Sequence, residues 1–203
     1  MTNTGNGSRY DRAYFDKWYR NPRHRVKSPA ELDRQVRFVL STAEWVLGRS
    51  VRSVLDVGCG EGNWRAPLHR LRPRLYYEGI DPSEYAVRRY GENRNIRQGG
   101  IEDVENVARR ESYDLVVCCG MLNYLDDRQL KSGLAQVAGR TSGVAYLEIF
   151  SSDDAFEGDT SWPEPHDARW YQRLIRSVGL HSIGMHCYIP AHRTELVASL
   201  ERM

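Results

Sequence analysis

The stretch Val54–Gly62, VLDVGCGEG, constrains this chain more than any other. Val54, Leu55 and Val57 form a short apolar run suited to a strand buried on both faces. The run ends in a turn with glycines at 58, 60 and 62. Glycine serves where backbone turns sharply or where a ligand must lie against the main chain. A helix starting at about Glu61 would aim its unbonded N–H groups back at that ligand. Strand, glycine turn and helix in this order form the adenosine-cofactor unit of doubly wound α/β sheets.

Neighbouring residues narrow the choice of cofactor. Asp81 closes the apolar run Leu75–Ile80, about 20 residues past the turn, where an acidic side chain grips ribose hydroxyls. That feature alone would also suit NAD. However, the third glycine follows the second by two residues, so the G-x-G-x-x-G spacing of dinucleotide sites is absent. Asp56 is placed inside the turn by this reading, where a pyrophosphate would meet a like charge. A carboxylate there suits a cationic ligand end, such as the ammonium and sulfonium of S-adenosylmethionine.

VLDVGCGEG, EGIDPSEYAV at 78–87, IRQGGIEDV at 96–104 and YDLVVCCGMLNYLDD at 113–127 together resemble the class I S-adenosylmethionine-dependent methyltransferases. The resemblance runs in order from about Ser53 to Phe150. It implies a single-domain, Rossmann-like α/β fold with a seven-stranded, mostly parallel sheet, a C-terminal antiparallel strand and an N-terminal helical lid. It also implies S-adenosylmethionine as cofactor. The turn would contribute Asp56, Gly58, Cys59, Gly60 and Asn63, and the end of the second strand Asp81 and Pro82. The Gly99–Asp103 loop would hold adenine, with Ile101 donating a backbone N–H and Glu102 accepting from the exocyclic amine. Many members carry Asp where this chain has Gly100, so Asp103 stands as second choice to Glu102. Cys119, Gly120 and Tyr124 would lie beneath the methionine part and face the acceptor.

Length and composition set the outer bounds. A chain of 203 residues suits one domain with a sizeable core. The net charge of +2 marks no strong field for nucleic acid. Apolar runs are too short to cross a bilayer, and MTNTGNGSRY lacks the apolar core of a signal peptide. Cys59, Cys118, Cys119 and Cys187 show no disulfide-framework spacing, which fits reduced thiols and a cytoplasmic setting. The six histidines fall into no metal pattern. A monomer or homodimer is expected.

The rest of the chain reads in order. Residues 1–8 are polar and expected to be disordered. Tyr10, Tyr14 and Trp18 recur at helical spacing, with Phe15 and Tyr19 beside them. Such a stripe is either a docking face or, as the resemblance suggests, a lid with Tyr14 and Tyr19 over the cofactor. Residues 1–27 are treated as this lid segment, and residues 28–203 as the methyltransferase domain. Arg20, Arg23, His24, Arg25 and Lys27 form a basic elbow, read as a solvated loop or a receiver of an acidic substrate. Ser28-Pro29-Ala30-Glu31 is a capping box that opens a core-facing helix ended by Gly48.

Further strands are predicted at Asn95–Arg97, Tyr113–Cys119 and Val144–Phe150, and then in Leu180–Ile189 and Glu195–Leu200. The irregular stretch Ser151–Pro165 is read as an acceptor-site cover. Glu148 at the fifth strand's exit and His166 after the loop are the candidate bases for acceptor deprotonation. No Asn/Asp-Pro-Pro-Tyr/Phe motif follows the fourth strand, which argues against base or side-chain amide nitrogens as acceptors. The expected reaction is methyl transfer to a small molecule at O, N or C. The alternatives are an RNA or protein methyltransferase, a non-methylating user of the same cofactor such as a cyclase, and a catalytically silent cofactor-binding protein.

Overall fold

Strand β1, Ser53–Val57, is buried along its whole length and lies between β2 and β4 inside a seven-stranded sheet of order β3-β2-β1-β4-β5-β7-β6. The structure, a computed structural model, describes residues 9–155 and 161–198. The expectations for residues 1–8, for 156–160 of the long loop and for Ser199 and Leu200 lie outside the described residues. Strands β2 (Tyr76–Asp81), β3 (Ile96–Gln98), β4 (Tyr113–Cys119) and β5 (Thr141–Glu148) run parallel to β1. β7 (Cys187–Pro190) is antiparallel to both β5 and β6 (Leu180–Gly184). This is the expected Rossmann-like architecture with its antiparallel C-terminal strand.

The sheet is buried on both faces because β1 is apolar on both. Leu55 and Val57 pack with Ile80, Val116 and Leu134 on one side. Val54 packs with Val36, Leu40 and Leu68 on the other. Helix α1 (Arg12–Phe15) continues as a π-helical turn over Asp16–Arg20. Helix α2 (Pro29–Leu47) starts at the capping box of Ser28 and Glu31, with proline in its first turn, and stops at Gly48 in the left-handed region. Helices α3 (Arg65–Leu71), α4 (Glu84–Arg94), α5 (Val104–Val107), α6 (Asp127–Arg140) and α7 (Ala168–Ser177) complete the chain. The Ser83, Asp126 and Asp167 side chains cap α4, α6 and α7.

Three boundaries differ from expectation. The helix after the glycine turn begins at Arg65, because Gly58, Gly60 and Gly62 all have positive φ, a conformation that cannot start a right-handed helix. Pro67 therefore falls in the first turn of α3, where an N–H has no helical partner to lose. β5 begins at Thr141 and ends at Glu148, before Phe150. A side chain at Gly143 would collide with the Asp114 carbonyl, so glycine is what allows β5 to run this close to β4. Finally, β6 and β7 both lie within Leu180–Ile189 and form a hairpin, while Ala191–Leu196 is a 3-10 helix rather than part of a last strand. The hairpin turns at Met185 and His186, both with positive φ, the geometry of a type I′ turn. Neither residue is a usual one for that turn.

Candidate active site

The site forms at the C-terminal ends of β1, β2 and β4. The glycine turn is lashed to β2, since the Gly58 and Cys59 amides both donate to the Ile80 carbonyl. Its next amide, from Gly60, donates to the Asp81 carboxylate at 2.6 Å, and the Ser83 amide donates to the other Asp81 oxygen at 2.8 Å. Burial raises Asp81 to about 6, against the pull of these two backbone bonds. Asp81 still lines a cavity, together with Gly58, Gly60 and Pro82.

The opposite wall comes from two loops. Gly100, Ile101 and Glu102 line the cavity from the loop after β3. Glu102 accepts from the Gln129 side chain at 3.3 Å, and Gln129 also lines the cavity. Asp103 turns away and accepts from the Gly100 amide at 2.8 Å, which leaves Glu102 as the acid on the wall. After β4, Gly120, Met121, Tyr124 and Leu125 complete this side.

The aromatic stripe forms the cover. Tyr10, Tyr14, Phe15 and Tyr19 line the same cavity as the glycine turn and Asp81. Phe15 is buried and stacks on Tyr85, with ring centroids 5.7 Å apart. The Ser83 hydroxyl donates to the Tyr10 carbonyl, and Arg20 pairs with Glu61 in the glycine turn. Tyr19 is the most exposed member of the stripe as a residue, while its hydroxyl sits against Gly60. Burial first, and Asp81 second, hold that phenol well above its usual pKa. With the stripe packed down, the cavity measures about 100 Å³. Small-molecule sites occupy roughly 300–1,000 Å³, so the cavity as it stands is smaller than a nucleoside cofactor needs.

The residues expected at the site divide into two groups. Gly58, Gly60, Asp81, Pro82, Ile101, Glu102, Gly120, Tyr124, Tyr14 and Tyr19 come together around the cavity. Asp56, Cys59, Asn63, Cys119, Glu148 and His166 do not line it. Asp56 is a correction. It belongs to β1, and strand alternation sends its side chain to the α2/α3 side of the sheet, where it accepts from the Tyr77 hydroxyl at 2.7 Å. Burial raises it to about 7, partly opposed by the Tyr77 bond. It therefore lies in β1 rather than inside the turn, and does not line the cavity. The Cys59 thiol turns under Gly79, where any side chain would collide with it.

Glu148 is buried and accepts from Lys27 at 2.6 and 2.8 Å and from Gln35 at 2.9 Å. Lys27 is thus half-buried and paired with a buried carboxylate, not part of a solvated elbow. His166 bonds Asp127 at 2.7 Å and stacks on Trp170. Tyr10, Phe15, Met121, Leu125 and Gln129 also line the cavity, although the sequence does not single them out for it. Tyr10 and Phe15 are visible as members of the stripe, and Met121 and Leu125 as neighbours of Gly120 and Tyr124. Gln129 gives no signal beyond its place in the first turn of α6. Among the described residues, no group of three or more His, Cys, Asp or Glu is placed to hold a metal ion.

Residues 54–141 match a family model described as a methyltransferase domain. Over these residues, and in its sheet order, the chain is similar to class I, Rossmann-like methyltransferases. No curated protein sequence matches the chain. Among solved structures, the chain is similar to a SAM-dependent methyltransferase from Archaeoglobus fulgidus, with 15% identity and a TM-score of 0.59 over 84% of this chain and 74% of that one. It is also similar to magnesium protoporphyrin IX methyltransferase from Synechocystis PCC 6803 with bound SAH (S-adenosylhomocysteine). That match has 17% identity and a TM-score of 0.58 over 86% of this chain and 87% of that one. An O-methyltransferase family protein from Burkholderia thailandensis matches with 19% identity and a TM-score of 0.51 over 79% of this chain. The chain spans 56% of the length of that protein. At these identities the solved structures bear on the fold alone.

The cradle fits the cofactor that this family uses. Gly58 and Gly60 have positive φ, and side chains on them would collide with Met121 and Tyr19. The glycine backbone and the Asp81 side chain therefore line the cavity where a bulkier turn would fill it.

Proposed function

We propose that the protein transfers a methyl group from S-adenosylmethionine to a small-molecule acceptor at O, N or C, releasing S-adenosylhomocysteine. One observation carries this reading: the glycine turn, Asp81, Glu102, Gly120 and the lid tyrosines surround a single cavity. Asp81 would hold the ribose hydroxyls. Glu102, steadied by Gln129, would hold the adenine amine, with the Ile101 amide on the ring. The Gly58, Gly60 and Gly120 backbone would receive the methionine part. When bound, S-adenosylmethionine supplies a methyl already activated by its sulfonium. The chain then has to align the acceptor, exclude water and, for a hydroxyl acceptor, remove a proton.

Residues 10–19 would act as the lid that excludes water, opening to admit cofactor and closing for transfer. Aromatic rings near a cation contribute about 0.5–2 kcal/mol, so Tyr14 and Tyr19 suit a sulfonium neighbour. Small acceptors fit a site roofed this closely by its own chain, and the related Synechocystis enzyme is named for a porphyrin acceptor. The absence of a strong net charge fits the same class. Among the described residues no helix is long and apolar enough to cross a membrane.

The test is a screen of small-molecule acceptor pools with methyl-labelled S-adenosylmethionine, followed by mass spectrometry. Label in a small molecule with equimolar S-adenosylhomocysteine supports the reading. Methylthioadenosine in place of S-adenosylhomocysteine would identify a cyclase-type enzyme, and label confined to RNA or protein would overturn the small-molecule assignment.

A further inference from the structure

Five side chains from four parts of the chain meet at the C-terminal end of β5. Lys27 comes from the elbow, Gln35 from α2, Cys119 from the end of β4, and Tyr146 and Glu148 from β5. The Glu148 carboxylate takes both Lys27 contacts, the Gln35 amide at 2.9 Å, the Cys119 thiol at 3.1 Å and the Tyr146 hydroxyl at 3.3 Å. A carboxylate offers about four lone-pair directions, so no acceptor capacity is left over for a proton from substrate. The Lys27 ammonium is spent in the same way, on Glu148 and on the Gln35 carbonyl oxygen at 3.0 Å.

The position of the cluster gives it a consequence. Cys119 precedes Gly120, which lines the cavity, and a side-chain carbon on Gly120 would lie 3.8 Å from a Glu148 oxygen. Lys27 is the one member of the cluster that belongs to the segment bearing the aromatic stripe. On its other side, that segment is held by Arg20 on Glu61 and by the Tyr10 carbonyl on Ser83.

We propose that Lys27 and Glu148 form the latch at the hinge of the lid, fixing the elbow to the sheet so that Tyr14 and Tyr19 seat over the glycine turn. Both are positioning residues, and Glu148 is not the acceptor's base. The proposal rests on the reading that residues 10–19 cover the cofactor. An ion pair on a buried carboxylate adds little net stability, but it can select one arrangement of the groups it joins. Loss of one partner leaves an unpaired buried charge, whereas replacing both with neutral groups of similar shape is tolerated.

The experiment uses the full chain and S-adenosylhomocysteine as probe. Its dissociation rate is followed by stopped-flow intrinsic fluorescence, and amide hydrogen exchange is followed over residues 10–20 and over β1. The variants are Lys27→Met with Glu148→Gln, Lys27→Arg alone, and Tyr14→Ala with Tyr19→Ala. The latch expects about tenfold faster dissociation in the neutral double variant, with protection lost over 10–20 and kept in β1. Lys27→Arg, which keeps the charge, should restore most of the wild-type rate. Wild-type dissociation and unchanged exchange in the neutral double variant would overturn the latch. If the tyrosine double variant also releases the probe at the wild-type rate, the lid reading itself fails. If it alone releases faster, the lid stands and the latch does not.

Discussion

The Tyr19 hydroxyl lies 2.8 Å from where a side-chain carbon on Gly60 would begin, so the lid rests directly on the cofactor turn. Gly60 also has φ of +55°. Gly60→Ala therefore combines two effects, a left-handed alanine costing about 1–2 kcal/mol and a collision with the seated Tyr19. The expected result is a lower melting temperature and weaker S-adenosylhomocysteine binding, with the lid more open to hydrogen exchange. A variant with wild-type exchange over residues 10–20 would show that the lid does not depend on this contact.

In the proposed function Asp81 fixes the ribose. Losing two hydrogen bonds to a charged acceptor costs about 2–4 kcal/mol, so Asp81→Ala should weaken S-adenosylhomocysteine binding roughly a hundredfold. Calorimetry reads this directly, and an unchanged affinity would remove Asp81 from the site.

The two raised aspartates give a pH signature. Asp81 at about 6 and Asp56 at about 7 both stand above the ordinary 3.8. The folded state therefore holds protons that the unfolded state releases, and the stability they contribute is full below about pH 4 and is lost as pH rises toward 7. Asp114 and Glu148 act in the opposite sense. Each is shifted up by burial and then pulled below its ordinary value, by Arg49 and Lys27 respectively, so their contribution is lost as the medium becomes more acidic. The free protein should thus melt highest in mildly acidic buffer, and Asp56→Asn should flatten the decline between pH 5 and 7. Ribose hydroxyls favour the ionised Asp81, so cofactor affinity should rise across that interval while the melting temperature of the free protein falls. Melts and titrations from pH 4.5 to 7.5 check both slopes.

Base chemistry separates His166 from Glu148. His166 is held by Asp127, two residues past Leu125 in the cavity wall, whereas Glu148 is saturated by its partners. For a hydroxyl acceptor, His166→Ala should lower turnover on the order of a hundredfold. For an amine acceptor, it should leave turnover unchanged. A hundredfold loss on the hydroxyl acceptor in Glu148→Gln, with His166→Ala at the wild-type rate, would return Glu148 to the role of base.

Much of this fold is legible in local chemistry. β4 spans Tyr113–Cys119 as its apolar run predicts, and α2, α4 and α6 begin at their capping residues Ser28, Ser83 and Asp126. The glycines, Asp81, Glu102 and the aromatic stripe are visible because a cradle and its roof need particular residue types in a fixed order. Interactions set by distant parts of the chain are not visible. Lys27 and Glu148 are 121 residues apart, and nothing near either signals the other. Gln129 meets Glu102 only once α6 is packed beside the adenine loop. The Met185–His186 turn lacks the glycine or asparagine that would mark it, so the sequence does not show where the hairpin folds back. Asp56 is misplaced from sequence because glycine spacing does not show at which residue the strand stops and the turn begins.

The central claim is that the glycine turn beneath the tyrosine lid is a site for S-adenosylmethionine. Isothermal titration of the full chain at pH 7.5 tests it most directly, with S-adenosylhomocysteine and NAD as parallel ligands. The account expects one S-adenosylhomocysteine bound per chain, increased protection of residues 10–20 on binding, and no heat from NAD. Saturable NAD binding, or no binding of S-adenosylhomocysteine to the folded chain, would contradict it.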